Sequence, residues 1–278
     1  MDFKRIEWIF LVVFIGINIF LGIEIFQTPT LLSNTHTSTP TDLTTEMAKD
    51  NITLPKLSDE QGDGYYLAAK VDNNWTSKAS KQISLQAGVS TVDSSLSVTL
   101  DHPVTISRKA NKMMKDINKF KNNPKNVYHG DDYVYVPELS TTGEYIFAQK
   151  NSYGEIFSTS ARLHISVKDH QIISYTQRYA GNASPVRERQ TTISEKAAIG
   201  SLYTYSELPN DSRVVWVHFA YSKLIEVKGS RIFLPTWVVA IQNNNTKTVV
   251  IKRVNAFNGN ILQDNTISED KEDNKSND

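Results

Sequence analysis

The chain has no cysteine among its 278 residues. That excludes disulfides, structural zinc sites of the cysteine type and a thiol nucleophile. It also carries no excess of either charge, with 30 Lys and Arg against 30 Asp and Glu. A neutral chain presents no net field to draw nucleic acid or an anionic surface. G-x-S-x-G, P-loop, H-E-x-x-H and EF-hand patterns are missing. The histidines stand at 36, 102, 129, 164, 170 and 218. No two of them fall at a metal-ligand spacing of about three to five residues. The residues therefore predict no catalytic set, no cofactor site and no metal site, and the chain is not read as an enzyme.

What is present begins at the N-terminus. Ile6 to Phe26 is one apolar run, interrupted by Glu7, Asn18 and Glu24. Twenty-one residues at ~1.5 Å each match a hydrocarbon core of ~30 Å. Lys4 and Arg5 precede the run, and the next Lys or Arg is Lys49. The positive-inside rule then places residues 1–5 in the cytoplasm, a transmembrane helix at 6–26, and the bulk of the chain outside the cell. The run is longer than a signal-peptide core and no A-x-A site follows Gly22, so an uncleaved anchor is expected. Asn18 is polar inside the span, and Gly22 lies one turn further on. The spacing of four puts them on one face, where a partner helix could approach closely. Asn18 and Gly22 are therefore the candidate contact with another membrane helix.

Residues 27–45 contain eight threonines and two prolines. Such a segment buries too little to offset its chain entropy and reads as an extracytoplasmic stalk. A helix is predicted at Leu43–Asp50, capped by Asp42 and ended by Asn51. Strands are predicted at 65–71 and 95–100. The clearest helix is Arg108–Lys121, with Ala110, Met113, Met114, Ile117 and Phe120 on one stripe and lysines on the other side. The Met pair reads as core and the lysines as solvated surface. Further strands are predicted at 127–136, 145–149, 163–167 and 172–178. Ser194 reads as the N-cap of a helix carrying Ala198, Leu202 and Tyr205. Strong strands follow at 214–221, 234–241 and 247–254, and Asn258-Gly259 makes a tight turn. Trp237 shares a strand face with Val239 and Ile241 and reads as a core anchor. The tail 268–278 is charged and reads as disordered.

One helix plus strands thus occurs twice. The expectation is an α+β protein of two units with antiparallel sheets, 46–136 and 137–267. His129-Gly130-Asp131-Asp132 reads as a polar turn between Tyr128 and Tyr133 rather than a metal or acid/base site. His164 and His170 flank the turn Lys168-Asp169 and carry no assigned chemistry.

The order of these pieces resembles the YycI (WalI) family of low-GC Gram-positive bacteria, related to YycH. The opening MDFKRIEWIFLVVFIGINIFL, the stretch from Leu43 to Leu57 ending NITLPKL, and YYLAAKV at 65–71 come in the family's order. Tyr175-Thr176-Gln177-Arg178-Tyr179 resembles the family's Y-x-Q-x-Y strand. Leu234-Pro235-Thr236-Trp237 followed by Val254-Asn255-Ala256-Phe257-Asn258-Gly259 also resembles PepSY modules, so the resemblance implies a PepSY-like second unit. It implies a regulator of a sensor histidine kinase, YycG (WalK), acting with a YycH-like protein through the membrane helix and the extracytoplasmic domain. The output would be the two-component control of cell-wall metabolism. A second reading is a PepSY-like binder or inhibitor of an extracellular wall enzyme or protease, and a third is a wall enzyme. Exchange of the membrane helix for an unrelated anchor separates the first two.

Overall fold

The computed structural model describes residues 3–27, 40–85, 87–92 and 94–262. The stretch 28–39 of the expected stalk and the expected disordered tail lie outside the described residues. The chain divides into two compact units, Met1–Glu46 and Met47–Asp278.

The N-terminal unit is built on helix α1 (Phe3–Gln27). Side chains are described for residues 7–19, and all of them are exposed. Ten are large and apolar, from Trp8 to Ile19, and they point in every direction around the helix. Among the described residues no helix is long and apolar enough to cross a membrane. The run with described side chains spans roughly 20 Å at the helical rise, short of a bilayer core. Helix α2 (Pro40–Lys49) straddles the division between the units. It starts before the expected Asp42 cap, and Asn51, expected to end it, follows in the left-handed region at φ 56°.

The second unit runs in the order β1 (Asp63–Gly64), β2 (Leu67–Lys70), α3 (Trp75–Gln82), β3 (Ala87–Val92), β4 (Ser95–Thr105), α4 (Ala110–Lys121), β5 (Tyr133–Tyr135), β6 (Glu144–Asn151), β7 (Gly154–Glu155), β8 (Arg162–Lys168), β9 (Gln171–Gln177), β10 (Ala183–Pro185), β11 (Gln190–Thr191), α5 (Glu195–Thr204), β12 (Ser212–Val227), β13 (Ser230–Asn243), β14 (Val249–Asn255) and β15 (Ile261–Leu262). The class is α+β with antiparallel sheets, as the alternation of patterns implied.

The first sheet has the order β3-β4-β9-β8-β6-β5, with β7 paired to β6. Register stacks Val98, Tyr175, Ile165 and Tyr145 in one cross-strand row, and Leu96, Gln177, Leu163 and Phe147 in the next. Residues in register share a face. Trp75 and Ala79 of α3 and Ile117 and Phe120 of α4 close over that face in one core. The alternate rows, such as Ser97, Thr176 and His164, are mostly polar, so the sheet is covered on one side. Met113 and Met114 are half-buried against this core.

The second sheet has the order β10-β2-β13-β14-β15. β12 runs along one edge of β13, while β2 and β14 share the other, pairing with 230–233 and 236–242. Helix α5 packs against β14. Ser194 caps it as expected, its Oγ accepting from the Ala197 N–H at 3.2 Å. Ala198, Ile199 and Leu202 are buried, but Tyr205 is 59% exposed beyond the helix end and leaves the expected stripe.

The sheets do not divide at the expected 136/137. Strands β6, β8 and β9, within 144–177, complete the first sheet, and β2 crosses into the second. Counting helix-plus-strand runs along the chain misplaces the boundary because antiparallel partners such as β4 and β9 are more than 65 residues apart. The strand expected at 127–136 shortens to β5. A 3-10 turn at Gly130–Asp132 takes up its start.

Candidate partner-binding and polar sites

Asn18 lies on α1, and its side-chain amide donates to the Phe14 carbonyl at 2.8 Å. This i−4 bond to its own helix engages one of the two amide hydrogens. The other hydrogen and the amide oxygen are the groups that could reach a neighbouring helix. Gly22 continues the same face by helical spacing. Its surroundings lie outside the described side chains.

The 129–132 turn gathers several titratable side chains. Buried Lys121, at the last turn of α4, donates from Nζ to the carbonyls of Gly130 and Tyr133 and to Asn122 Oδ1. A Cβ on Gly130 would lie 1.8 Å from the Lys121 carbonyl oxygen, so the turn can close this tightly only on glycine. Burial pulls the Lys121 ammonium down to about 8, with nearby Asp131 opposing the shift. His129 enters the turn at φ 45° and stacks on Tyr179, with centroids 5.3 Å apart and planes 12° apart. Its Nδ1 is 3.5 Å from Asp132 Oδ2. Tyr179 donates from its hydroxyl to Asn182 Oδ1 at 3.0 Å. Burial raises the Asp132 carboxyl above its usual range, against the nearby His129 charge, and raises the Tyr179 hydroxyl as well. Trp75 and Tyr128 complete an aromatic cluster around Tyr179.

Lys121, His129, Asp132 and Tyr179 each have a structural partner. The arrangement ties α4, the turn and the end of β9 together, as a polar turn would. Among the described residues no group of three or more His, Asp and Glu could hold a metal ion. His164 sits on the polar side of the first sheet. Burial first, then the nearby Arg162 charge, lowers its pKa. His170 and Asp169 both take positive φ in the β8–β9 turn, at 60° and 51°, which is the work of a tight hairpin.

Trp237 is half-buried rather than core. Its indole N–H donates to the Ile193 carbonyl at 2.9 Å, and Phe219 meets it edge-on at 5.4 Å. It pins the entry of α5 to the second sheet, where Val239 and Ile241 supply the buried part of the face.

The family model of the YycI protein matches residues 32–257. The chain belongs to the YycI family. That is a family of regulatory proteins. The match covers the first sheet, the second sheet up to β14 and every helix of the second unit. No curated protein matches the sequence. Among solved structures, an uncharacterized protein from Eubacterium rectale ATCC 33656 is 9% identical, with TM-score 0.50 over 77% of this chain and 91% of its own. That likeness concerns the fold alone. The Bacillus megaterium YpeB C-terminal domain is 13% identical, covered over 100% of its length and 70% of this chain, with TM-score 0.35.

Proposed function

We propose that this protein is a single-pass membrane regulator. Its N-terminus is cytoplasmic and its folded unit extracytoplasmic. It modulates a YycG/WalK-type sensor histidine kinase together with a YycH-like partner and so acts on cell-wall metabolism. The observation that carries the regulatory reading is the family match over 32–257. Anchoring is supported by α1. A helix that is apolar all round needs a protein core or lipid around it, and Trp8, Phe10 and Phe14 are each at least 66% exposed. The charge asymmetry around the helix supports the orientation.

The PepSY-like binder reading rests on the Pro-x-Trp pattern, and the Trp237 indole is already committed to Ile193. No observation favours that reading over regulation.

The test exchanges residues 6–26 for an unrelated membrane anchor in a strain that reports kinase output. Loss of the response on the kinase, with the chimera present in membranes at the parental level, is the expected outcome. An unchanged response would reduce the helix to a tether and overturn its role in regulation.

A further inference from the structure

Net neutrality conceals a division of charge. Residues 70–128 hold ten Lys and Arg against four Asp, so the remainder of the chain is correspondingly acidic. Eight of those ten cations are exposed on or beside the helical layer of the first sheet: Lys78, Lys81, Arg108, Lys109, Lys112, Lys115, Lys119 and Lys125. Arg108, Lys112, Lys115 and Lys119 recur at the helical period along α4 and its entry. They turn away from the buried stripe of Ile117 and Phe120. Helix α3 brings its own lysines to the same layer. Gln82 at its end donates to the Pro124 carbonyl, and the Ser84 N–H donates to the Lys125 carbonyl.

Internal carboxylates do little to neutralise this layer. Lys78 pairs with Asp72 at 2.5 Å. Asp116 is half-buried and accepts from the Ser107 N–H. Among the described residues, none of the other seven cations has a carboxylate within salt-bridge distance. Seven of the eight cations are lysine, and no exposed aromatic stands among them. Protein–protein interfaces are depleted in Lys and enriched in aromatic residues and Arg, because buried anchors carry their energy. A dispersed array of strongly hydrated ammonium groups suits a diffuse surface of negative charge instead.

We propose that the α3–α4 face docks on an anionic phospholipid surface, laying the folded unit against the bilayer that carries its anchor. The proposal rests on the membrane-anchored reading and adds an orientation to it. The lysines act collectively on such a surface, and salt screens them.

The full chain carries no cysteine, so Asn111→Cys on the exposed side of α4 gives one labelling site. The labelled chain is reconstituted into vesicles of phosphatidylcholine, with or without about one third phosphatidylglycerol, and energy transfer to a headgroup dye is read. Retention in carbonate-washed vesicles tests the anchor separately. With the anchor inserted, transfer should be high on anionic vesicles and low on neutral ones, and should collapse at about 1 M salt, where the screening length is ~3 Å. The triple reversal K112E/K115E/K119E should lower the docked-to-undocked ratio at least about tenfold. K112R/K115R/K119R should restore docking and show that charge, not folding, is responsible. Equal transfer on neutral and anionic vesicles, or docking that survives the reversal in a chain of unchanged circular dichroism, would overturn the proposal.

Discussion

Lys121 is 2% exposed yet ends a helix otherwise lined with solvated lysines. Composition and spacing read it as one of that set. What sets it apart is the return of the chain, through left-handed His129 and the close approach at Gly130, which is not local to the helix. Its ammonium meets the Gly130 and Tyr133 carbonyls, so Lys121→Met should leave buried acceptors unpaired and cost about 1–3 kcal/mol at neutral pH. The pH dependence has a definite sign. The folded-state pKa is lowered to about 8 from 10.5, so between those values the unfolded chain binds more protons. Wild-type stability should therefore gain on that of the variant as pH rises from about 8 towards 10, by at most about 3 kcal/mol. Urea titrations of both at pH values across this window would show it, and a constant difference would contradict a buried ammonium. Gly130→Ala tests the same turn sterically. The added Cβ would sit 1.8 Å from a backbone oxygen that cannot rotate away. A loss of about 3 kcal/mol or more is expected in the denaturation midpoint, and a wild-type midpoint would disprove the close approach.

Elements with a strong period were legible, and those without were not. Helix α4, the Ser194 cap of α5 and strands β12 to β14 all stand where apolar spacing put them. Helix α3 escaped notice because WTSKASKQ carries only Trp75 and Ala79 as buried residues, one helical turn of pattern. Strand β3 escaped because AGVSTV is an edge strand, exposed over most of its length, with no alternation to read. The division between sheets was misread for another reason, since interior partners such as β4 and β9 lie far apart in sequence and leave no local trace. Trp237 shows the intermediate case. Its strand and face were foreseen, while its place at the rim follows from α5 arriving beside it. Trp237→Ala should cost about 2–3 kcal/mol, at the low end for a large aromatic, because the ring is partly solvated. Trp237→Phe should cost about 1 kcal/mol by leaving the Ile193 carbonyl without its donor. A Trp237→Phe variant that melts like the parent would argue against the hydrogen bond.

At the scale of the molecule, the candidate contact read from the sequence lies on α1. Lipid supplies no hydrophobic drive between helices, so association there depends on close packing and polar contacts. Asn18 satisfies one amide hydrogen within its own helix, at the Phe14 carbonyl, which leaves the second hydrogen and the oxygen as the groups that a neighbouring helix could meet. Gly22, four residues on, would let a second backbone come near. An interhelical bond of this kind contributes about 0.6–2 kcal/mol, so it should tune a complex without being its sole support. Asn18→Leu keeps the helix apolar, and Gly22→Ile fills the point of approach. The double variant should enter the membrane at the parental level yet give a clearly weaker signal against the kinase, or against a YycH-like partner, in a membrane two-hybrid assay. The single variants should fall between it and the parent. Parental signal from the double variant at parental abundance would remove this face from the interface and leave the folded unit to carry any contact alone.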